Sequence, residues 1–317
     1  MAKENKKRKP KSEILTTSIV VVLFIILAIY AITIIFTLGW GLLTSLKSNL
    51  DFQIYGNKLG LPNLEYSKSE VLLSNYSLVM RNFIFSNNVS FYSNGKLIAH
   101  KSEVNFLGTI LNTILYVGVG ALILALVPAV VAYICTKYKF KYLKIFYVLN
   151  MISLTVPVVG TYAPTLVLVR NMGIYDTFIG NFIQKFTFAG MYFLVFCAFY
   201  QSLSDSYIEA AEIDGASQTL VLVKIILPLS IKMIATVFLL QAVALWNDYQ
   251  TCLMYLPTKP TLAYGVYYMA YQGTNGTLAK VPARITATLI LALPLLIIFI
   301  IFKDRLMGNI SIGGVKE

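Results

Sequence analysis

One histidine, three cysteines and a charged fraction of 13% leave this chain poor in the residues from which most catalytic and metal sites are built. His100 has no sequence neighbours that would make it a metal ligand or catalytic base, and it is expected as a solvated loop residue. Cys135, Cys197 and Cys252 show neither zinc-site spacing nor a disulfide framework, and they read as small apolar residues within or beside hydrophobic segments. The G-x-S-x-G and H-E-x-x-H motifs are absent, which removes the hydrolases those motifs mark. A G-x-x-x-x-G-K-[ST] loop is also missing, so ATP hydrolysis is not expected of this chain.

What the sequence has in abundance is apolar surface. Hydrophobic residues make up 57% of it and the mean hydropathy is +0.72, more than a soluble domain can use. Six stretches hold no Asp, Glu, Lys or Arg: 14–46, 104–136, 145–169, 186–204, 233–247 and 285–302. A bilayer core of about 30 Å needs about 20 apolar residues per helix, so five stretches suffice alone and the fifth span is expected to continue past Asp248 to Leu256. The fold class predicted is an all-α membrane protein with six transmembrane helices and a cytoplasmic helical segment between the fourth and fifth.

The first apolar stretch is too long for a signal peptide and is read as a retained helix behind a basic leader, residues 1–13. With both termini inside, the inner segments hold 15 Lys and Arg in 65 residues and the outer segments 11 in 103. That asymmetry is the positive-inside pattern, and it accounts for the net charge of +12 without nucleic acid. KYKFKYLK, residues 137–144, then reads as a cationic belt at the headgroups. The organisation is a leader, a transmembrane domain over 14–302 with an outside loop at 47–105, and a cytoplasmic tail at 303–317. Within the outside loop, 71–80 has helical periodicity, and the alternation of VSFYSNGKLIAHK around Asn94-Gly95 predicts a hairpin.

The acidic stretch 204–232 is far longer than a connection between two membrane helices needs to be. Glu209, Ala210, Ala211 and Glu212 favour helix, and Glu212 to Asp214 put acid on its outer face. Gly215 can turn the chain, Ser217 can cap a second helix, and Pro228 is expected to end or bend that helix before the fifth span. The paired alanines permit close approach by another backbone and the acidic rim supplies orientation. An interfacial helix lying on anionic lipid would prefer Lys and Arg there.

These residues resemble the EAA loop of permease subunits of binding-protein-dependent ABC importers. The pattern is matched by Glu209, Ala210, Ala211, Gly215, Ile225, Leu227 and Pro228 at the family spacings, with Asp214 beside them. NYSLVM, MGIYDT, ALWNDY and GGVKE extend the resemblance over nearly the whole chain, toward the shorter permease of maltose and multiple-sugar systems. Two departures are extra residues around Arg81 to Lys101 and a terminal Glu317 in place of glycine. The resemblance implies a coupling helix seated in an ATPase subunit. It also implies a second permease forming a heterodimer, two ATPase subunits that carry ATP and Mg, an extracellular solute-binding protein, and a sugar substrate. No cofactor is expected on this chain.

Asp248 is the one charged residue expected inside the bilayer, in its outer third, with Trp246 and Asn247 beside it. These residues either meet sugar hydroxyls and ring faces or anchor the outer end of the helix. Asn112 and Gln241 either line the pathway or hydrogen-bond between helices. The aromatic segment 256–276 corresponds to a loop that reaches the docked binding protein in the resembling family, and an interfacial belt would have the same composition. An import permease for a non-sugar solute is the alternative reading. An ion-coupled secondary transporter, which would normally show intramembrane carboxylates and inverted repeats, is a more distant one.

Overall fold

The computed structural model describes residues 11–63, 72–93, 95–138, 140–156, 159–271 and 277–308. Residues 1–10 of the basic leader, Lys139, the turn residue Asn94, Gly273, Gly276 and the GGVKE tail lie outside them, while residues 11–13 of the leader open the first helix. In chain order the elements are α1 (Lys11–Ser45), α2 (Ser74–Asn82), β1 (Phe85–Ser93), β2 (Lys96–Val104), α3 (Phe106–Lys137), α4 (Lys141–Thr155), α5 (Tyr162–Asn171), α6 (Phe178–Gln184) and α7 (Met191–Ser202). There follow α8 (Ser206–Ile213), α9 (Gln218–Val221), α10 (Leu227–Trp246), α11 (Gln250–Tyr255), α12 (Leu262–Tyr271) and α13 (Val281–Gly308). Contacts divide the chain into two compact units, one running to Val79 and including Lys280–Leu289, the other comprising Met80–Ala279 and the residues from Ile290 on.

Among the described residues four helices are long and apolar enough to cross a membrane: Ser18–Ser45, Phe106–Lys137, Gln218–Trp246 and Val281–Phe302. The 12-residue α7 is apolar but shorter. The expected third span, 145–169, is not one helix. It is divided into α4 and α5, with Gly160 at φ +82° between them, a conformation open to glycine but costly for residues with a Cβ.

In the first unit, apolar side chains of α1 stay exposed, Phe24 at 70%, as befits a helix surrounded by lipid. Its end is polar and tightly organised. Asn75 on α2 donates to the carbonyls of Ser45 and Lys47, both at 2.8 Å, and the ammonium of the buried Lys47 donates to the Asn57 carbonyl. The helix expected near 71–80 is therefore present as α2, and it caps the chain leaving α1.

The second unit is organised around α3. Ala121, Ala125, Ala129 and Ala132 recur every three or four residues and are wholly buried, forming a narrow stripe that lets α7 and α10 approach closely. Phe193, Phe196 and Tyr200 of α7 fill the space opposite that stripe, together with Met233, Ile234 and Val237 of α10. Without a hydrophobic drive between helices in lipid, such interlocking of small and large side chains is the main source of cohesion.

Pro228 does not end the helix before it. Gln218–Trp246 runs unbroken for 29 residues, with a wide π turn at Leu222–Ile226 where the Leu227 N–H reaches back five residues to the Leu222 carbonyl. Widening the turn just ahead of the proline accommodates a residue that has no N–H to place in the ladder. The helix expected as the fifth span accordingly begins earlier than predicted and ends at Trp246; the chain turns through Asn247 and Asp248 before α11.

The predicted hairpin is the chain's sheet among the described residues, two antiparallel strands in register from Phe85↔Val104 to Ser93↔Lys96. Gly95 has φ +77°, as an Asn-Gly turn demands.

Candidate functional site

The stretch 204–232 folds as a helix, a corner and a second helix. Asp214 ends α8, Gly215 takes φ +78°, and the Ala216 N–H returns to the Ala211 carbonyl at 2.9 Å. Ser217 then caps α9 by accepting from the Leu220 N–H. Both roles follow from residue chemistry alone: glycine tolerates the left-handed turn, and a serine oxygen satisfies an orphan N–H. The corner is fastened to the end of α3. The Lys137 ammonium donates to the Asp205 carboxylate at 2.6 Å and to the Leu203 carbonyl at 2.7 Å. Tyr138 donates to the Gln218 side chain, whose amide in turn donates to Glu212.

The two alanines have different tasks. Ala211 is buried among Ala132, Tyr133, Tyr200 and Val221 of its own chain, whereas Ala210 is exposed. Close approach is thus used internally at position 211 and is open to another molecule only at 210. Exposed with Ala210 are Tyr207, Glu209, Glu212, Asp214 and Ile213, the last at 86%. Of the remaining positions in the pattern, Ile225 and Leu227 pack against the core and Pro228 is exposed on the first turn of α10.

The polar residues expected along a pathway are not gathered in one place. The Trp246 indole N–H donates to the Leu291 carbonyl at 2.9 Å, and the ring borders an apolar cavity of about 290 Å³ between α3, α10 and α13. Asn247 donates to Val243 of its own helix, and Gln241 is half-buried on α10. Asn112 donates to the Pro260 carbonyl at 3.1 Å. Asp248 does have a charged neighbourhood. Tyr116, wholly buried on α3, donates to its carboxylate at 2.6 Å, and the Lys185 ammonium donates to the same phenol at 3.2 Å while lying 4.6 Å from the ring centre. The Thr251 N–H completes the coordination at 2.9 Å.

Asp248 is therefore not alone as a charge among the apolar helices. Lys185 lies just ahead of the fourth apolar stretch, yet it is only 9% exposed, because the short helix α6 returns it to α3. Burial pushes its ammonium below the usual lysine range, with Asp248 opposing the shift. Gly120 is what admits it, because a Cβ there would lie 3.1 Å from the lysine stem.

His100 is likewise not a free loop residue. It lies on β2, and its Nδ1 is 2.7 Å from the carboxylate of Asp176, a side chain with no exposure. Asp176 also accepts from the Thr258 N–H and hydroxyl, and its own carbonyl accepts from Lys259 at 2.8 Å. Its φ of +59° is unusual for a non-glycine residue and is held by these contacts.

Residues 97–310 match the family of inner membrane components of binding-protein-dependent transport systems. This chain belongs to that family. The permease is 26% identical over 220 residues to a putative ABC transporter permease of Caldicellulosiruptor, covering 68% of this chain and 78% of the relative. It is 25% identical over 236 residues to a melibiose, raffinose and stachyose import permease of Bacillus subtilis, covering 74% and 84% of the two chains. In fold it resembles a chain of a bacterial ABC transporter involved in import of the acidic polysaccharide alginate. That likeness has a TM-score of 0.65 at 19% identity, over 94% of this chain and 99% of the other. The permease is thus a transport subunit of the membrane, and its α8–α9 corner is one of the elements that crossing a bilayer does not require.

Proposed function

We propose that the permease forms half of the translocation pathway of an ATP-driven importer for a sugar or oligosaccharide, and that the α8–α9 corner seats a partner ATPase. The observation that carries this reading is the corner itself. Its exposed side sets Tyr207, Ala210 and Ile213 beside Glu209, Glu212 and Asp214, while Lys137 and Tyr138 tie it to α3. Apolar residues rimmed by acid suit a protein groove with basic edges better than anionic lipid. A force applied to the corner passes to α3 through charge-assisted bonds and to α10 through continuous helix. Glu209, Ala210, Ala211, Asp214 and Gly215 shape this seat, with Ile225, Leu227 and Pro228 forming the shaft behind it.

In this reading six spans place both termini and the corner in the cytoplasm and the hairpin outside, in the inner membrane. A second permease, two ATPase subunits that bind ATP and Mg, and an extracellular solute-binding protein complete the system. A sugar is favoured because two relatives are named as a melibiose, raffinose and stachyose import permease and a trehalose transport permease. Asn112, Gln241, Trp246, Asn247 and Asp248 are the polar residues this chain offers to the pathway.

The test is a substitution that leaves the fold alone. Ala210→Asp adds charge and volume at an exposed site, so the permease is expected in the membrane at normal abundance but without copurifying ATPase and without sugar uptake. Normal copurification and uptake by the variant would remove the corner as the contact. Ala211→Asp is the poorer choice, since its effect on internal packing would confound the result.

A further inference from the structure

The hairpin leaves one strand edge without a partner. Its turn holds two residues, 94 and 95, so the pair that closes it, Ser93↔Lys96, is hydrogen-bonded, and bonded pairs then alternate through Phe91↔Ile98, Val89↔His100 and Asn87↔Ser102. On β2 the N–H and C=O groups of Ala99, Lys101 and Glu103 therefore point away from β1. Among the described residues no third strand joins the sheet, and no backbone group outside the hairpin bonds to these three residues.

That edge borders an open groove of about 930 Å³ within the second unit. The residues from Ala99 to Val104 line it in unbroken sequence, as an edge does, whereas a strand face would contribute only alternate residues. Opposite lie Phe178 at the start of α6, Thr258, and Gly108 and Asn112 on the first turns of α3. Asn112 is six residues into α3, about 9 Å along its axis, so the groove runs from the strand toward the membrane. His100 and Ser102 are fastened inward to Asp176 and Thr258 through their side chains, which holds the edge in place without using its backbone groups.

We infer that the edge of β2 receives an extended segment of the second permease, about five residues long, which adds to the hairpin as a third strand. Backbone groups that recur at every second residue, about 6.6 Å apart, have the repeat of a polypeptide strand. Lys101 and Glu103 are neighbours of opposite sign on the exposed face of β2, so the edge asks no net charge of its occupant. Ile84 and Phe178 favour apolar side chains where the added strand points into the groove. Occupancy must be lasting, because an open edge is a template for misassembly. That requirement selects a neighbour fixed in the same membrane over an extracellular binding protein that exchanges with solute. The contact rests on the import reading for the existence of a second permease and goes beyond it in placing a strand pairing between the two on the outer side. The residues around 81–101 that lengthen the outside loop then serve assembly.

Hydrogen–deuterium exchange, resolved to single amides by electron-transfer fragmentation, reads the edge directly. The full chain is compared in lipid nanodiscs alone and coassembled with the second permease and ATPase. The amides of Ala99, Lys101 and Glu103 are expected to exchange freely in the chain alone and about a hundredfold more slowly in the assembly, from three bonds at about fivefold each. His100 and Ser102, bonded to β1, should be slow in both and report an intact hairpin. Lys101→Pro removes one edge N–H and no bond to β1, which is where a strand tolerates proline. In the assembled variant Ala99 and Glu103 should exchange about fivefold faster, whereas Lys101→Gln leaves them as in the unaltered chain. Edge amides that stay fast in the assembly, or are already slow in the chain alone, overturn the pairing. So does equal exchange in the proline and glutamine variants, or slowing that appears only when a solute-binding protein is added. Copurification of the second permease and sugar uptake by the complex decide the import reading separately. Fast edge amides in a complex that copurifies and transports sink the pairing and leave the permease function standing.

Discussion

Tyr116 holds two charged side chains on a single hydroxyl, giving its proton to Asp248 and accepting one from Lys185. A buried ammonium beside apolar helices is costly unless it is paired, and here the phenol transmits the pairing. Tyr116→Phe removes the oxygen while keeping the ring, and a hydrogen bond to a charged group is worth about 2 kcal/mol. We expect the variant to lose about that much stability in detergent, measured by thermal unfolding with a thiol-reactive dye. Lys185→Met should recover most of the loss when combined with it, because the unsatisfied charge is then gone. A double variant as unstable as the sum of the two singles would mean that Lys185 is solvated independently of Tyr116. Asp248 stood out in the sequence because it follows an uncharged run. Lys185 did not, because its burial depends on α6 folding back to a residue 69 positions earlier.

The hairpin shows the same division at the scale of an element. Alternation and Asn94-Gly95 made its strands and turn readable, since both are local properties. Its attachment is not local. Phe91 meets Tyr175 edge-on at 4.8 Å, Asn87 donates to the Pro257 carbonyl, Ser102 donates to the Thr258 carbonyl, and His100 joins Asp176 across 76 residues. The α8–α9 corner was readable for the opposite reason: a glycine turn and a serine cap act within four residues, whereas the burial of Ala211 depends on α3 and α7. Replacing Asp176 with Ala frees His100, the Thr258 hydroxyl and a strained backbone at once. The expected outcome is faster tryptic cleavage at Lys96 and Lys101 in the purified protein, with the rest of the chain resisting as before. Cleavage at the unaltered rate would mean that Phe91 and the backbone contacts suffice to hold the strands.

For the whole molecule, the sequence carried the membrane class and the approximate places of the long apolar helices, because a bilayer imposes a length and a polarity on every crossing. It did not carry the division of 145–169 or the passage of helix through Pro228, where a positive-φ glycine and a widened turn decide. The sidedness proposed from the distribution of Lys and Arg can be read directly. Single cysteines are placed at Leu97 on the hairpin and Tyr142 on α4, both exposed, in a variant lacking Cys135, Cys197 and Cys252. An impermeant maleimide should label intact cells at 97 and reach 142 only after permeabilisation; labelling at 142 alone would invert the topology. The π turn at Leu222–Ile226 has one more implication. It takes up one residue more than an α turn, so everything beyond it is rotated by about 100° from where an uninterrupted α-helix would put it. Deleting one residue there would leave a continuous helix but swing Met233, Ile234 and Val237 off the face that meets α3. Within these 29 residues, that five-residue stretch fixes the angular phase of α10 relative to the corner, and chain length there must be kept even where side-chain identity is free to vary.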